Sequence, residues 1–385
     1  MPPIDAPDRP ESELAGELVR PDFAGACLTG VMPALLGSLY GGAALPSWMP
    51  QEVAGASQVV LLVLDGLGWE QLADRKALAP ALSGGEGGPI TSVAPSTTAC
   101  ALTSLATGRT PAEHGVVGYR VAWEGEIMNV LAWTVGGADA RVRVRSTEFQ
   151  PFPTFPGAPR PVPVVTRNDF GPTGFSAAHL GDATLHRWHT PAGLVTGVRE
   201  LLGDGARFIY AYYEGIDKVA HARGLGEYYN DELAEVDRLV SDVLSAMPPG
   251  GVLVVTADHG QVDVGGAGEI LGAEVMSGVS LLSGEGRFRW LHVRPGAVDD
   301  VLAAASESFS DVAWVRTLDQ IVADGWLGGE PSAAVRARLG DIVLAPFVAT
   351  AFLDPADTGE LRLQARHGSL TPAEMLVPLL SWPST

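Results

Sequence analysis

Three short apolar runs, each ended by acidic residues, restrict this chain more than any other feature. Gln58–Leu64 (QVVLLVL) stops at Asp65, and Phe208–Tyr213 (FIYAYY) runs into Glu214–Asp217. Val252–Thr256 (VLVVT) stops at Ala257-Asp258-His259. Runs that are apolar throughout, rather than at alternate positions, suit strands covered on both faces, as in a largely parallel sheet. Between them the pattern turns helical. Over roughly Tyr228–Met247, Leu233, Val236, Leu239, Val240, Val243 and Leu244 recur at helical spacing. Strand–helix alternation predicts a layered α/β fold with a central, largely parallel sheet. In such sheets ligands sit beyond the carboxyl ends of the strands, where these Asp and His residues fall.

Two stretches break the alternation. Residues 120–190 carry many prolines and aromatics without clear periodicity. Residues 286–345 read as strand (Phe288–Val293), helix (Val298–Phe309), strand (Val312–Val315) and a Gly-rich loop. Both are candidate inserted cap or lid segments of a single catalytic domain spanning 23–385. Residues 1–22, rich in Pro, Asp and Glu, read as a loose leader. Residues 23–50 are uncharged, but Pro33, Pro46 and scattered glycines interrupt them, and no cationic start precedes them. The expectation is a buried helix and loop in a soluble, cytoplasmic protein that does not enter a membrane.

Composition narrows the partners. With 46% hydrophobic and 18% charged residues, the 385-residue chain should build a substantial core. A formal charge of −20, with Lys76 and Lys218 the only lysines, opposes nucleic-acid duplex binding, which needs clustered cations. Arg141, Arg143 and Arg145 alternate like one face of a strand, either solvated or in contact with an anionic ligand. Two cysteines, Cys27 and Cys100, make no disulfide framework, and Cys100 reads as a small core residue.

The chemistry-bearing residues lie in four segments, each at a loop start. Asp65 opens Asp65-Gly66-Leu67-Gly68 after the first buried run. Asp217 and His221 form a D-x-x-x-H pair, which one helical turn places on the same face. Asp258 and His259 end the third run. His367 precedes Thr371-Pro372-Ala373-Glu374, a helix start with a cap, a first-turn proline and a capping-box glutamate. Three Asp and three His exceed one four-coordinate site and suit a pair of ions. Mixed imidazole and carboxylate ligands favour zinc, with manganese or iron as alternatives, over magnesium. Two ions roughly 4 Å apart can bracket a phosphoryl group. Taken singly, each signal also fits a helix cap, a structural histidine or an exposed pair. No Gly-Lys dipeptide exists, so there is no P-loop, and no G-x-S-x-G elbow occurs.

Pro95-Ser96-Thr97-Thr98 joins a strand-like run ending near Ala94 to a helix-compatible run starting near Thr98. A hydroxyl at a helix N-terminus faces unpaired N–H groups that favour an alkoxide or bound phosphate. Metal coordination would activate an otherwise poor threonine nucleophile. Thr97 and Thr98 fit capping and turn roles equally well.

In this order the motifs resemble those of the alkaline phosphatase superfamily, in its type I phosphodiesterase/nucleotide pyrophosphatase branch. The resemblance runs from about Val59 to Pro378. It rests on Leu64-Asp65-Gly66, Pro95-Ser96-Thr97-Thr98, Thr107-Gly108, Glu113-His114-Gly115-Val116-Val117-Gly118-Tyr119, Asp217-x-x-x-His221, Thr256-Ala257-Asp258-His259-Gly260 and His367-Gly368-Ser369. It implies an alkaline-phosphatase-like three-layer sandwich with inserted cap segments. The family places its nucleophile nine residues before the Thr-Gly pair, which selects Thr98. It further implies one ion on Asp65, Asp258, His259 and Thr98, and a second on Asp217, His221 and His367. Two departures matter: Tyr119 stands where better-known members carry a phosphate-contacting Asn, and Ala99 where they carry a phenylalanine. Tyr119 either donates a hydrogen bond to substrate or serves as packing.

Monoesterases of this superfamily place an Arg after the nucleophile or add a third metal site. Here Ala99, Cys100, Ala101 and Leu102 follow Thr98, an apolar wall suited to the second substituent of a diester or pyrophosphate. Cys100 lacks the x-Pro-x-Arg that sulfatases need. The expected activity is hydrolysis of a small phosphodiester or nucleotide pyrophosphate through a phosphothreonine intermediate. Alternatives are a phosphomonoesterase, phosphonate hydrolase or phosphomutase at the same site, charged by arginines from 120–190. A non-catalytic metal-binding protein is the reading from another class.

Overall fold

The computed structural model describes residues 16–171, 173–266 and 268–384. The expected leader therefore lies outside the described residues as far as residue 15. Seven strands form the central sheet: β1 (Gln58–Leu64), β2 (Glu86–Thr91), β3 (Pro163–Arg167), β4 (Thr184–Trp188), β5 (Phe208–Tyr213), β6 (Gly251–Thr256) and β7 (Leu376–Pro383). Their order is β2-β7-β6-β1-β5-β3-β4. β1 pairs in parallel with both β5 and β6, and β3 pairs in parallel with β4 and β5. Only β7 runs the other way, antiparallel to β6 and β2. Because β5 and β6 are buried at every position and β1 at all but Gln58, their apolar runs cannot alternate.

Helices α1 (Leu28–Gly41), α2 (Thr98–Thr107) and α3 (Gly174–Leu180) form one packed group. Helices α4 (Pro191–Gly203), α5 (Gly215–Arg223) and α6 (Glu227–Ala246) form another, with α4 packed on β3, β4 and β5. The chain thus has the α/β architecture expected, a mostly parallel sheet between helical layers. On α6 the buried stripe is Tyr229, Leu233, Val236, Leu239, Val240 and Val243, with Leu244 half-buried. Each large aliphatic side chain on such a stripe contributes about 1.5–3 kcal/mol. α1 buries Val31, Met32, Leu35 and Leu36, and no described helix is long and apolar enough to cross a membrane. Cys27 and Cys100 are buried free thiols.

The two irregular stretches are organised differently from their sequence boundaries. In 120–190, a four-stranded antiparallel sheet (Arg120–Trp123, Glu126–Asn129, Thr134–Val135, Ala138–Asp139) comes first. The chain then returns to supply β3 and β4 to the central sheet, so the insertion is shorter than the stretch. The second module starts earlier than 286. Val279–Glu285, Phe288–Val293, Ile342–Pro346 and Ala313–Thr317 pair in that order, all antiparallel. Helix α7 (Val298–Phe309) packs Val301, Ala305 and Phe309 against that sheet's own small core. The strand-like alternation at Arg141–Arg145 is a turn, and its arginines pair with Asp139, Glu124, Glu126 and Glu148 at the surface.

Candidate active site

Each of β1, β5 and β6 delivers its acidic residue at its carboxyl end, and pairing in register brings them together. Asp65 follows β1, Asp217 lies in the first turn of α5 after β5, and Asp258 follows β6. His367 arrives from the segment before β7. Asp65, Asp258 and His259 each present a ligand atom within 4.8 Å of the others, and so do Asp217, His259 and His367. His259 is common to both groups, where the family resemblance assigned it to one. His221 joins the second group through Asp217, its Nε2 lying 3.2 Å from Oδ1, while His367 Nε2 lies 3.8 Å from the same oxygen. The His259 and His367 rings stack with centroids 3.5 Å apart.

All three imidazoles are held by the same device. Nδ1 of His221 sits 2.8 Å from the Ala365 carbonyl, Nδ1 of His259 3.0 Å from Gly260 O, and Nδ1 of His367 2.9 Å from Ser96 O. A carbonyl only accepts, so each Nδ1 carries a proton and Nε2 is the nitrogen turned to the site, where a neutral ring offers its lone pair. Burial, with His259 and His221 nearby, holds the His367 imidazole well below the usual range and therefore neutral.

The carboxylates are buried and incompletely satisfied. Asp65 Oδ2 accepts from the Tyr212 hydroxyl, and Asp258 Oδ1 accepts from the Gly66 and His259 N–H groups at 3.1 and 3.0 Å. Their other oxygens, Asp65 Oδ1 and Asp258 Oδ2, have no hydrogen-bond partner, yet stand 3.5 and 3.4 Å from His259 Nε2. Burial raises both carboxyls, Asp65 strongly, with the neighbouring acids adding to it. Orphaned anionic oxygens facing imidazole lone pairs are a donor set that calls for cations, and the two groups fit a pair of divalent ions.

Thr98 is the first residue of α2, preceded by the extended Thr97, whose side chain makes no capping hydrogen bond, and its Oγ1 lies 3.1 Å from His259 Nε2. It borders two cavities. One, about 240 Å³, is mostly apolar and is lined by Leu102, Leu131, Val164, Phe170 and Phe175, among others. The other, about 260 Å³, is lined by Tyr119, Asp217, His221, Glu285, Arg366 and His367. Tyr119 is at the site, but its hydroxyl donates to Asp357, which Arg120 also approaches at 3.5 Å. The hydroxyl donates to a substrate only by giving up that partner.

No arginine of 120–190 lines either cavity, so the extra charge sought there for a monoester is not delivered by that stretch. The cations that do line them are Lys218 and Arg366. Sequence reading passed over both, although one adjoins Asp217 and the other His367. It also missed Gln261, whose Nε2 donates to Asp217 Oδ1 at 2.6 Å, and His179 in the apolar cavity. Neither carries a motif signal. His114, inside a motif, is fully buried against Ser104 Oγ at 2.8 Å and takes no part in the site.

The family model for type I phosphodiesterases/nucleotide pyrophosphatases matches residues 59–130 and 179–370. Among solved structures, murine ectonucleotide pyrophosphatase/phosphodiesterase 5 is similar at a TM-score of 0.63 and 14% identity, covering 85% of this chain and 88% of that one. An inactive form of the same protein in complex with AMP gives 0.63 at 13% identity, with the same coverage. Phosphonoacetate hydrolase from Sinorhizobium meliloti, in complex with phosphonoformate, gives 0.62 at 18% identity, covering 85% and 90%. At these identities the likeness shows a common fold. No curated protein sequence matches the chain significantly.

Proposed function

The chain belongs to the type I phosphodiesterase/nucleotide pyrophosphatase family, and from that premise we propose that it hydrolyses a small phosphodiester or phosphoanhydride with Thr98 as nucleophile. Asp65, Asp258, His259 and Thr98 would hold one divalent ion and Asp217, His221 and His367 the other, with His259 close to both. The observation that carries this reading is the common orientation of the three imidazoles, Nε2 inward, opposite two unpaired carboxylate oxygens. Zinc suits this donor set, with manganese or iron as alternatives. When bound, the ions would supply positive charge for the attacking and leaving oxygens.

Thr98 is the first residue of α2, the end of a helix where unpaired backbone N–H groups favour negative charge. Attack by Oγ1 forms the bond to phosphorus as one ester oxygen departs and ends with the hydroxyl's proton, leaving a phosphothreonine that still bears the second substituent, and water then hydrolyses the threonine ester. A cavity on each side of Thr98 gives both substituents of a diester a place. The hairpin sheet at 120–139 and the module at 279–346 would act as caps, since Leu131 and Glu285 border those cavities. AMP bound to a relative of the same fold is in keeping with a nucleotide-sized substituent.

The test compares nitrophenyl esters: a phosphodiester, a nucleotide ester and a monoester, with bound metal quantified. Faster cleavage of the first two, about two metals per chain, and at least about a thousandfold loss in Thr98→Ala and Asp258→Ala are expected. Activity surviving both Thr98→Ala and chelation would overturn the mechanism. Preference for the monoester or for a phosphonate would keep the metal site and replace the substrate class.

A further inference from the structure

We infer that His179 makes the apolar cavity beside Thr98 a reader of hydrogen-bond donors: the substituent it selects is a flat ring bearing an N–H or O–H. This rests on the phosphodiester reading for the cavity's role and goes beyond it in naming what enters.

The walls of the cavity are aromatic and aliphatic, which suits a flat ring. His179 lies in the last turn of α3, its ring stacked on Phe175 with centroids 4.1 Å apart and planes at 20°. Nδ1 lies 2.8 Å from the Phe175 carbonyl oxygen, so it must be the protonated nitrogen. Burial pulls the imidazole down to about 4, so at neutral pH the ring is uncharged and Nε2 holds a free lone pair. No described residue donates to Nε2, and the side chain borders the cavity.

Around His179, other polar groups of the lining are partnered or deeply buried. Thr173 and Ser176 satisfy each other at 3.1 Å, and Ser176 Oγ also donates to the Phe170 carbonyl. Glu214 accepts from Arg167 at 2.6 Å and Lys218 at 2.9 Å through Oε1, while its buried Oε2 has no partner. The Tyr210 hydroxyl also has no partner, and like Glu214 Oε2 it is buried too deeply to meet a ligand. The acceptor left open on the apolar side of this cavity is therefore His179 Nε2, while Lys218 already donates to Glu214. A ligand with a donor on its edge would satisfy that nitrogen, whereas a wholly apolar ring, or one edged only with acceptors, would leave it unpaired.

The test uses two probes differing by one donor: thymidine 5′-phosphate and its N3-methyl derivative, and the nitrophenyl esters of both. Binding of the phosphates to the purified protein is measured by calorimetry, and kcat/KM is measured with the esters. Methylation is expected to weaken binding and lower kcat/KM by about tenfold or more in the wild type. In His179→Phe, which keeps the stacking and removes the acceptor, the two probes should fall within about twofold of each other. The ratio is the readout, and melting temperature and metal content verify the fold. Equal affinity for both probes in the wild type, which needs no variant, overturns the inference, and so does an undiminished ratio in His179→Phe. Discrimination in binding without cleavage of any diester would instead overturn the phosphodiester reading and leave His179's role standing.

Discussion

At the scale of single residues, the site depends on groups that never touch a substrate. Asp217 Oδ1 is shared by His221 and His367 at 3.2 and 3.8 Å, and Gln261 Nε2 donates to it at 2.6 Å. Gln261 is fully buried and leaves its own Oε1 unpaired, a cost that makes sense only if its amide is held for the carboxylate. Gln261→Leu keeps much of the volume and removes the donor. Affinity for one of the two ions should fall about 10- to 100-fold while the other is little changed. Competition with a fluorescent chelator reads this directly, and unchanged binding of both ions would reduce Gln261 to packing. Nothing in the sequence pointed to it. A glutamine two positions after a proposed ligand has no motif, whereas Asp65, Asp258 and His259 stood out at the ends of apolar runs, Asp217 and His221 as a one-turn pair after another, and His367 before a capped helix start.

At the scale of elements, the strands were readable and the contacts between the loops that follow them were not. β1, β5 and β6 announce themselves by being apolar throughout. Ile342–Pro346, equally buried and equally apolar, reads in sequence as part of a Gly-rich loop, because unlike the other runs it ends in proline with no acid or histidine to mark it. Thr371 and Glu374 look like a capping box, but the helix is only four residues long and the glutamate serves other partners. It takes Arg287 at 2.7 and 2.8 Å, the Ser369 N–H and the Thr371 hydroxyl, which fixes the turn after His367. This turn is pressed against the loop after β6. A Cβ on Gly260 would stand 2.0 Å from Ala373 O and 2.8 Å from Gly68 Cα, backbone atoms that cannot swing aside. Gly260→Ala must therefore part the segments carrying Asp65, Asp258 and His367. We expect a loss of about 1–3 kcal/mol or more in urea denaturation, with at least tenfold lower activity. Gly203→Ala, whose Cβ meets nothing within 4 Å, serves as the control and should be neutral or slightly stabilising. Equal effects in the two variants would refute the argument from loop packing.

Over the whole molecule, charge and site stand in opposition. Domain boundaries were only half legible, because β3 and β4 re-enter the central sheet after the hairpin insertion and no composition shift marks the return. Net charge, by contrast, needs no structure. At −20 the chain should repel an anionic phosphodiester at long range, and surface arginines such as Arg143, Arg145 and Arg336 are already paired with acids. Close to Thr98 the balance differs, since two bound divalent ions would outweigh the local carboxylates within a few ångströms. Salt acts on the first effect more than on the second, because the Debye length falls from about 30 Å at 0.01 M to about 10 Å at 0.1 M. Raising a non-coordinating salt over that range should therefore increase kcat/KM for a nitrophenyl diester by about two- to tenfold, with kcat unchanged. This is the reverse of the usual loss of steering. A zwitterionic ester such as nitrophenyl phosphocholine, with no net charge to repel, should show a flat profile. A fall in kcat/KM for the anionic ester would mean that the field of the site, rather than that of the whole surface, governs the approach.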